Sequence, residues 1–274
     1  MIADIRVLSP KQTFLDNMRP AQLLLQVYRL LESSENLLIQ GNLLEALRGI
    51  VGAPADEDLM LIYNEIFIGL VRERAQMPRS TLRQSTLCHL LRQAVVASCT
   101  ALETYLPALL RADLPVMIRA RGRDFIPHGD ADIQSYFADL QFTLDETLRL
   151  LGDEHAAEYI SNRILGLANF KYLSSRKGIA VVGRLLGLNR PWDEIAEHLA
   201  REKKDLMNTL DDTVRRRNDI VHRADRCQDD AAGAQQPITY AWTQQAVDTV
   251  NHICLALDEL VAARVAELEA MLAG

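Results

Sequence analysis

Twelve consecutive residues, Arg215 to Arg226, read RRRNDIVHRADR. Five arginines and an asparagine here put hydrogen-bond donors beside His222, a residue type that ordinarily titrates near neutral pH. Cutting a phosphodiester needs that equipment: one group to move a proton, and cationic donors for charge developing on the phosphoryl oxygens.

Other chemistries have fewer residues to support them. The residues three before each histidine are Thr86, Phe125, Gly152, Ile195, Asp219 and Thr249, so the sequence lacks the Glu-x-x-His pair of di-iron bundles. H-E-x-x-H, the Walker loop and G-x-G-x-x-G are absent as well. Cys88, Cys99, Cys227 and Cys254 lie far apart with no C-x-x-C spacing, against a disulfide scaffold or zinc ribbon and in favour of a reducing compartment. No metal and no cofactor is expected.

A net charge of −7 over 274 residues excludes a generally nucleic-acid-coating surface, so any such site must be a local patch. The cations are 25 Arg against 5 Lys, and guanidinium suits bidentate contact with phosphate. No apolar run reaches the roughly 18 residues of a membrane helix. The opening MIADIRVLSPKQ has none of the regions of a signal peptide. A cytoplasmic protein with no membrane association is expected.

The elements that must position the motif read as helices throughout, which makes the fold class all-α. Helical spacing covers 19–33, 35–50 and 56–76, the last with Leu59, Ile62, Ile66 and Leu70 at three- and four-residue steps. After Pro78 come helices over 81–111 and 116–121, the loop GRDFIPHGDAD, a helix from Asp130 or Asp132 to about 151, and others over 153–170 and 177–188. Pro191 opens a stretch from Trp192 to about His222, one long helix or two joined near Asn208. CQDDAAGAQQPI reads as an exposed loop pinned by Tyr240 and Trp242, and Thr243 opens the last helix. The boundary near Pro78 separates an N-terminal accessory helical region, 1–78, from a bundle domain, 79–274. The accessory layer carries no catalytic constellation and is a candidate docking region for a regulatory protein partner.

At about 100° per residue, Leu206, Leu210, Val214, Arg217 and Val221 form one stripe, which Arg217 interrupts with a charge. Val96, Cys99, Glu103, Leu106 and Leu110 form another, in which Glu103 is the anomaly. A buried unpaired guanidinium costs several kcal/mol, so the two misplaced and opposite charges are expected to meet. Such a pair either fixes helix register or holds Arg217 ready for a phosphate.

Arg217-Asn218-Asp219-Ile220-Val221-His222 resembles the motif of HEPN-superfamily ribonucleases, an arginine followed by a polar residue and, after four to six residues, a histidine. The trailing His-Arg-x-Asp-Arg and the earlier VVASCTALETYLPALLR are similar to the RiboL-PSP-HEPN group of prokaryotic toxin and defence proteins. Spacing alone selects little in so arginine-rich a chain. Roughly 1.6 chance matches are expected, and Arg83, Arg121, Arg123 and Arg149 also precede histidines suitably. Asn218, the late helix and the loop and helix after it single out His222. Ala224 stands where one toxin subgroup has tyrosine.

The resemblance implies an HEPN-like bundle and metal-independent RNA cleavage, in which a ribose 2′-OH attacks the adjacent phosphorus to leave a 2′,3′-cyclic phosphate. Arg217, Asn218, His222 and Glu103 are the candidate catalytic residues, and Arg215, Arg216, Arg223 and Arg226 the candidates for holding RNA. Arg217 and His222 are about 140° apart on a straight helix. Either the helix breaks, or Arg217 reaches round, or a second subunit completes the site; HEPN relatives pair their motifs across a homodimer axis, which favours the last. Relatives that have lost activity supply the alternative, an inactive HEPN module binding nucleotide or a protein. Arg121, Arg123 and His128 form a lesser basic loop, His252 a surface position, and Trp192 with Trp242 packing anchors.

Overall fold

The computed structural model describes residues 9–32, 59–64, 67–72, 84–126, 131–226 and 233–273, with single positions at 45, 48, 49, 52 and 55. The fold is all-α. Its helices are α1 (Pro10–Glu32), α2 (Gln84–Arg121), α3 (Ala131–Tyr136), α4 (Leu144–Leu150), α5 (Ala156–Leu165), α6 (Arg176–Leu185), α7 (Pro191–His198), α8 (Lys203–Arg223) and α9 (Tyr240–Ala273). Among the described residues no helix is long and apolar enough to cross a membrane.

The long helix α2 is the centre, with α1, α5, α8 and α9 packed against it. Leu91, Val95, Leu102, Leu106, Leu110, Leu114 and Met117 along it are all fully buried. This continuous apolar face explains why α2 passes through Pro107 and Pro115, where the sequence predicts a break between 111 and 116. An interior proline costs roughly 3 kcal/mol, and several buried side chains at about 1.5–3 kcal/mol each outweigh it.

Helix α1 begins at a proline in its first position, with the Ser9 hydroxyl accepting from the Gln12 amide at 3.2 Å. Its buried face, Phe14, Met18, Ala21, Leu25 and Tyr28, keeps the three- and four-residue rhythm. Phe14 packs on Tyr105 with ring centroids 5.1 Å apart. The first helix of the stretch set apart by sequence as accessory thus lies within the bundle core.

Three further boundaries differ from the sequence expectation. The helix expected over 56–76 is instead an antiparallel hairpin, Leu59–Asn64 against Phe67–Arg72. Two short apolar runs separated by Asn64-Glu65 satisfy helical and strand spacing alike, and their β-branched and aromatic residues favour strands. The helix expected up to 151 is two, because Thr143 starts α4 with a capping box: its hydroxyl accepts from the Glu146 amide and its amide donates to Glu146 Oε2 at 2.8 Å. The Thr143 amide, and next the Tyr159 hydroxyl donating to Oε1 at 2.7 Å, hold the Glu146 carboxyl down at about 2. The stretch after Pro191 breaks at 199–202, earlier than Asn208, where Ala200 turns left-handed with φ 49°. An alanine at that conformation leaves no glycine or proline to read. The expected helix over 35–50 lies largely outside the described residues.

Helices α2 and α9 share a seam carrying excess negative charge. Burial, then the charges of Asp258 and Glu269, pushes the Asp113 carboxyl up to about 6. The native state therefore holds this proton more tightly than the unfolded chain. The site contributes stability below about pH 4 and loses it as pH rises through about 6. Asp113→Asn should match wild type in thermal unfolding near pH 4 and exceed it above pH 7. The gain is at most about 1–2 kcal/mol, since the carboxyl is partly solvated.

Candidate functional site

Helix α8 is unbroken from Lys203 to Arg223, so it carries Arg217, Asn218 and His222 on one rod. Its buried line is Leu206, Leu210, Thr213 and Ile220, with Val221 52% exposed. Arg217 falls in that line, between Thr213 and Ile220. The stripe through Val214 and Val221 is corrected by one residue, because three- and four-residue steps from Leu210 are equally consistent with the helical period.

Arg217 is mostly buried and pairs with Glu103 of α2, Nη2 to Oε1. The same Glu103 oxygen accepts from the Ser174 hydroxyl at 3.1 Å. Beneath them burial pushes the fully buried Cys99 thiol up to about 11, and the adjacent Arg217 pulls it the other way. The expected meeting of Glu103 and Arg217 is therefore present, with Ser174 as a third member.

Ser174 belongs to the turn that starts α6. Ser175 caps that helix, its hydroxyl accepting from the Gly178 amide at 3.0 Å. A Cβ on Gly178 would sit 2.0 Å from the Leu173 carbonyl oxygen, so only glycine lets the turn fold back so closely. Ser175 in turn forms one wall of an open groove of about 580 Å³. Helix α8 supplies the opposite wall through Asp211, Val214, Arg215, Asn218, Asp219 and Arg223.

His222 is exposed in the last turn of α8. Counting about 100° per residue, it lies roughly 20° from Arg215 and 40° from Asn218, which puts it on the groove side of the helix. Arg217 is about 140° from His222 on the same count. Within one chain the two residues do not share a face, and no helix break brings them together.

The four other arginines divide. Arg215 and Arg223 line the groove, paired with Asp212 at 2.6 Å and Asp219 at 3.4 Å, both on the surface. Exposed pairs of this kind are worth about 0–1 kcal/mol and are readily exchanged. Arg216 is turned inward: it donates to Asp225 Oδ2 at 2.9 Å and to the carbonyls of Gln236 and Pro237 at 3.1 and 3.0 Å. Its guanidinium also lies 5.7 Å from the Trp242 ring centroid. Arg226 donates to the Gly233 carbonyl across the loop at 2.5 Å. Arg216 and Arg226 thus hold this chain's own loop, Arg216 from a largely buried place and Arg226 from an exposed one.

Sequence reasoning missed Asp225 and Arg92. Asp225 is fully buried, with Arg92 Nε 2.7 Å from its Oδ2 and Arg216 Nε 2.6 Å from its Oδ1. Arg92 interrupts the apolar face of α2 as Glu103 does, so the same signal was available. The turn serines had no comparable signal. Of the lesser candidates, Gly122 turns left-handed (φ 54°) at the basic loop, and His128 lies outside the described residues. His252 is exposed on α9, and Trp192 is buried with its indole donating to the Arg176 carbonyl at 3.0 Å.

No protein-family model, curated protein or solved structure matches this chain. The resemblance of Arg217–His222 to the HEPN motif therefore stands on those residues and their surroundings. A double-mutant cycle of Glu103→Ala and Arg217→Ala by chemical denaturation should give a coupling of about 1 kcal/mol, and strict additivity would contradict the pair.

Proposed function

We propose that this chain is a HEPN-type endoribonuclease that cleaves RNA without a metal, in a prokaryotic toxin or antiviral-defence role. The observation that carries the reading is Arg217, a guanidinium set into the core-facing line of α8 and held by Glu103, on a helix whose other side borders an open groove. A cation held this way is preorganised for phosphoryl oxygens and needs no reorganisation when charge develops there.

In this reading the RNA backbone enters the groove along Arg215 and Arg223, which exchange their exposed carboxylate partners for phosphate. His222 removes the proton from the ribose 2′-OH. The freed oxygen attacks the adjacent phosphorus, and the bond from phosphorus to the 5′-oxygen breaks. A second histidine, or water, protonates that leaving oxygen, giving a 2′,3′-cyclic phosphate and a 5′-hydroxyl. Asn218, one turn before His222, orients the imidazole or the phosphate.

The angle between Arg217 and His222 makes a homodimer part of the proposal. Two copies about a two-fold axis present His222 of one chain to Arg217 of the other and supply both histidines of the acid–base pair. The N-terminal region is left as the place where a regulatory protein acts.

A second reading, an inactive HEPN module that binds nucleotide or a protein, draws on a specific observation. Leu144 and Leu148 on α4 and Leu151 at its C-terminal cap are 75%, 57% and 73% exposed, an apolar patch such as a protein-binding module displays.

RNA incubated with the protein in EDTA separates the two. Wild type should cleave, leaving cyclic-phosphate ends, and Arg217→Ala and His222→Ala should each slow cleavage by about 10²–10⁴-fold. Cleavage that survives both substitutions equally would show the site to be wrong. Binding without cleavage would favour the second reading.

A further inference from the structure

Asp225 poses a question that the proposed chemistry leaves open. It stands three residues after His222, has no solvent exposure, and touches neither the groove nor the Glu103–Arg217 pair. Two arginines from different helices converge on it, Arg92 from α2 and Arg216 from α8. Both also reach the segment entering α9: Arg92 Nη2 donates to the Gln236 carbonyl at 2.9 Å, and Arg216 to the carbonyls of Gln236 and Pro237. The Gln236 amide closes the circuit by donating to the Asp225 carbonyl at 2.8 Å.

The backbone at this point is held where it would not go unaided. Ala224 and Asp225 are consecutive left-handed residues, φ 51° and 59°, and neither is glycine. Such conformations persist only when surrounding contacts over-determine them, and they concentrate at functional sites. The reversal sends the Asp225 amide back to the Asp219 carbonyl at 2.9 Å, closing the last turn of α8. His222 lies inside the turn so closed. Without the reversal, the final carbonyls of a helix are unpartnered and its last turn frays.

We propose that Asp225 is a positioning residue: through Arg92 and Arg216 it fixes the last turn of α8 and so the place of the His222 imidazole. The proposal rests on the reading of His222 as the proton-transfer group. It adds that the aspartate trailing the motif, held by Arg92 and Arg216, is what aims that group. A ring sited one turn from a frayed end samples many directions. Proton transfer requires hydrogen-bond reach to a single oxygen, and displacement by about 1 Å can cost 10²-fold in rate.

Amide hydrogen exchange read by mass spectrometry, with RNA-cleavage kinetics alongside, tests this on the full chain. Asp225→Asn should raise exchange by about tenfold or more at 219–225 and leave 206–214 and α2 unchanged. Because it leaves two buried guanidiniums without their carboxylate, Asp225→Asn has a companion, Arg92→Gln/Asp225→Asn, which removes one charge of each sign. In either folded variant kcat should fall about tenfold or more with a smaller change in KM, since Arg215, ahead of the loosened turn, still holds the RNA. Asp225→Glu should recover part of both readouts.

Unchanged exchange at 219–225, or a uniform rise across the whole bundle, would overturn the positioning role. So would unaltered kcat in a variant whose last turn has loosened. The exchange measurement does not depend on nuclease activity. A wild type that cuts no RNA would defeat the functional reading, and the exchange pattern would still report whether Asp225 holds the His222 turn.

Discussion

Two ion pairs of opposite sense join α2 to the α8 segment, and the geometry of the candidate site follows from them. Helix α2 offers Arg92 and then Glu103; the other segment offers Arg217 and then Asp225. Arg92 meets Asp225 and Glu103 meets Arg217, which is satisfied only if the two run antiparallel. A parallel arrangement would oppose Arg92 to Arg217 and Glu103 to Asp225. Like charges so placed repel; for Arg92–Asp225, buried on both sides, removing one partner costs about 3–5 kcal/mol, and for the half-exposed Glu103 with Arg217 the cost is smaller. The four charges thus act on topology and register, beyond what the apolar stripes specify. The pairs stand about 16 Å apart along α2, enough to fix the tilt of α8 as well as its position.

That fixed helix then presents different chemistry on its two sides. One side carries Arg217 against Glu103, Ser174 and Cys99, a cation held in a largely desolvated place. The other carries Arg215, Asn218 and the exposed His222 along an open groove. The Ser174–Ser175 turn connects them, since one serine meets Glu103 and the next lines the groove. This division supports an assembly in which a second copy brings the missing face.

How much was legible beforehand depended on whether a residue contradicted its neighbours. Glu103 and Arg217 were readable because each places a charge in an apolar stripe, and pairing is the cheapest resolution of both. Arg92 carries the same sign but its partner does not. Asp225 sits in a loop that looks solvated, and nothing local marks it as buried. Arg216 looked like one more basic residue of a run, because which of three consecutive arginines turn inward depends on helix rotation that sequence spacing leaves undetermined by about 100°. The hairpin at 59–72 was hidden because its apolar residues also recur at helical steps, and the turn at Ala200 by its lack of glycine. The all-α class was plain because it rests on many periodic segments, so no single error changes it.

Mixing two individually inactive variants tests the shared site most directly. Arg217→Ala and His222→Ala proteins are purified separately, combined, and allowed to exchange subunits. If His222 of one chain works against Arg217 of the other, about half of the dimers are mixed and each contains one intact pairing, with water in place of the second histidine. RNA cleavage should then reappear in the mixture, releasing cyclic-phosphate ends, though neither variant cuts alone. A mixture that exchanges subunits yet stays as inactive as its components would contradict the account.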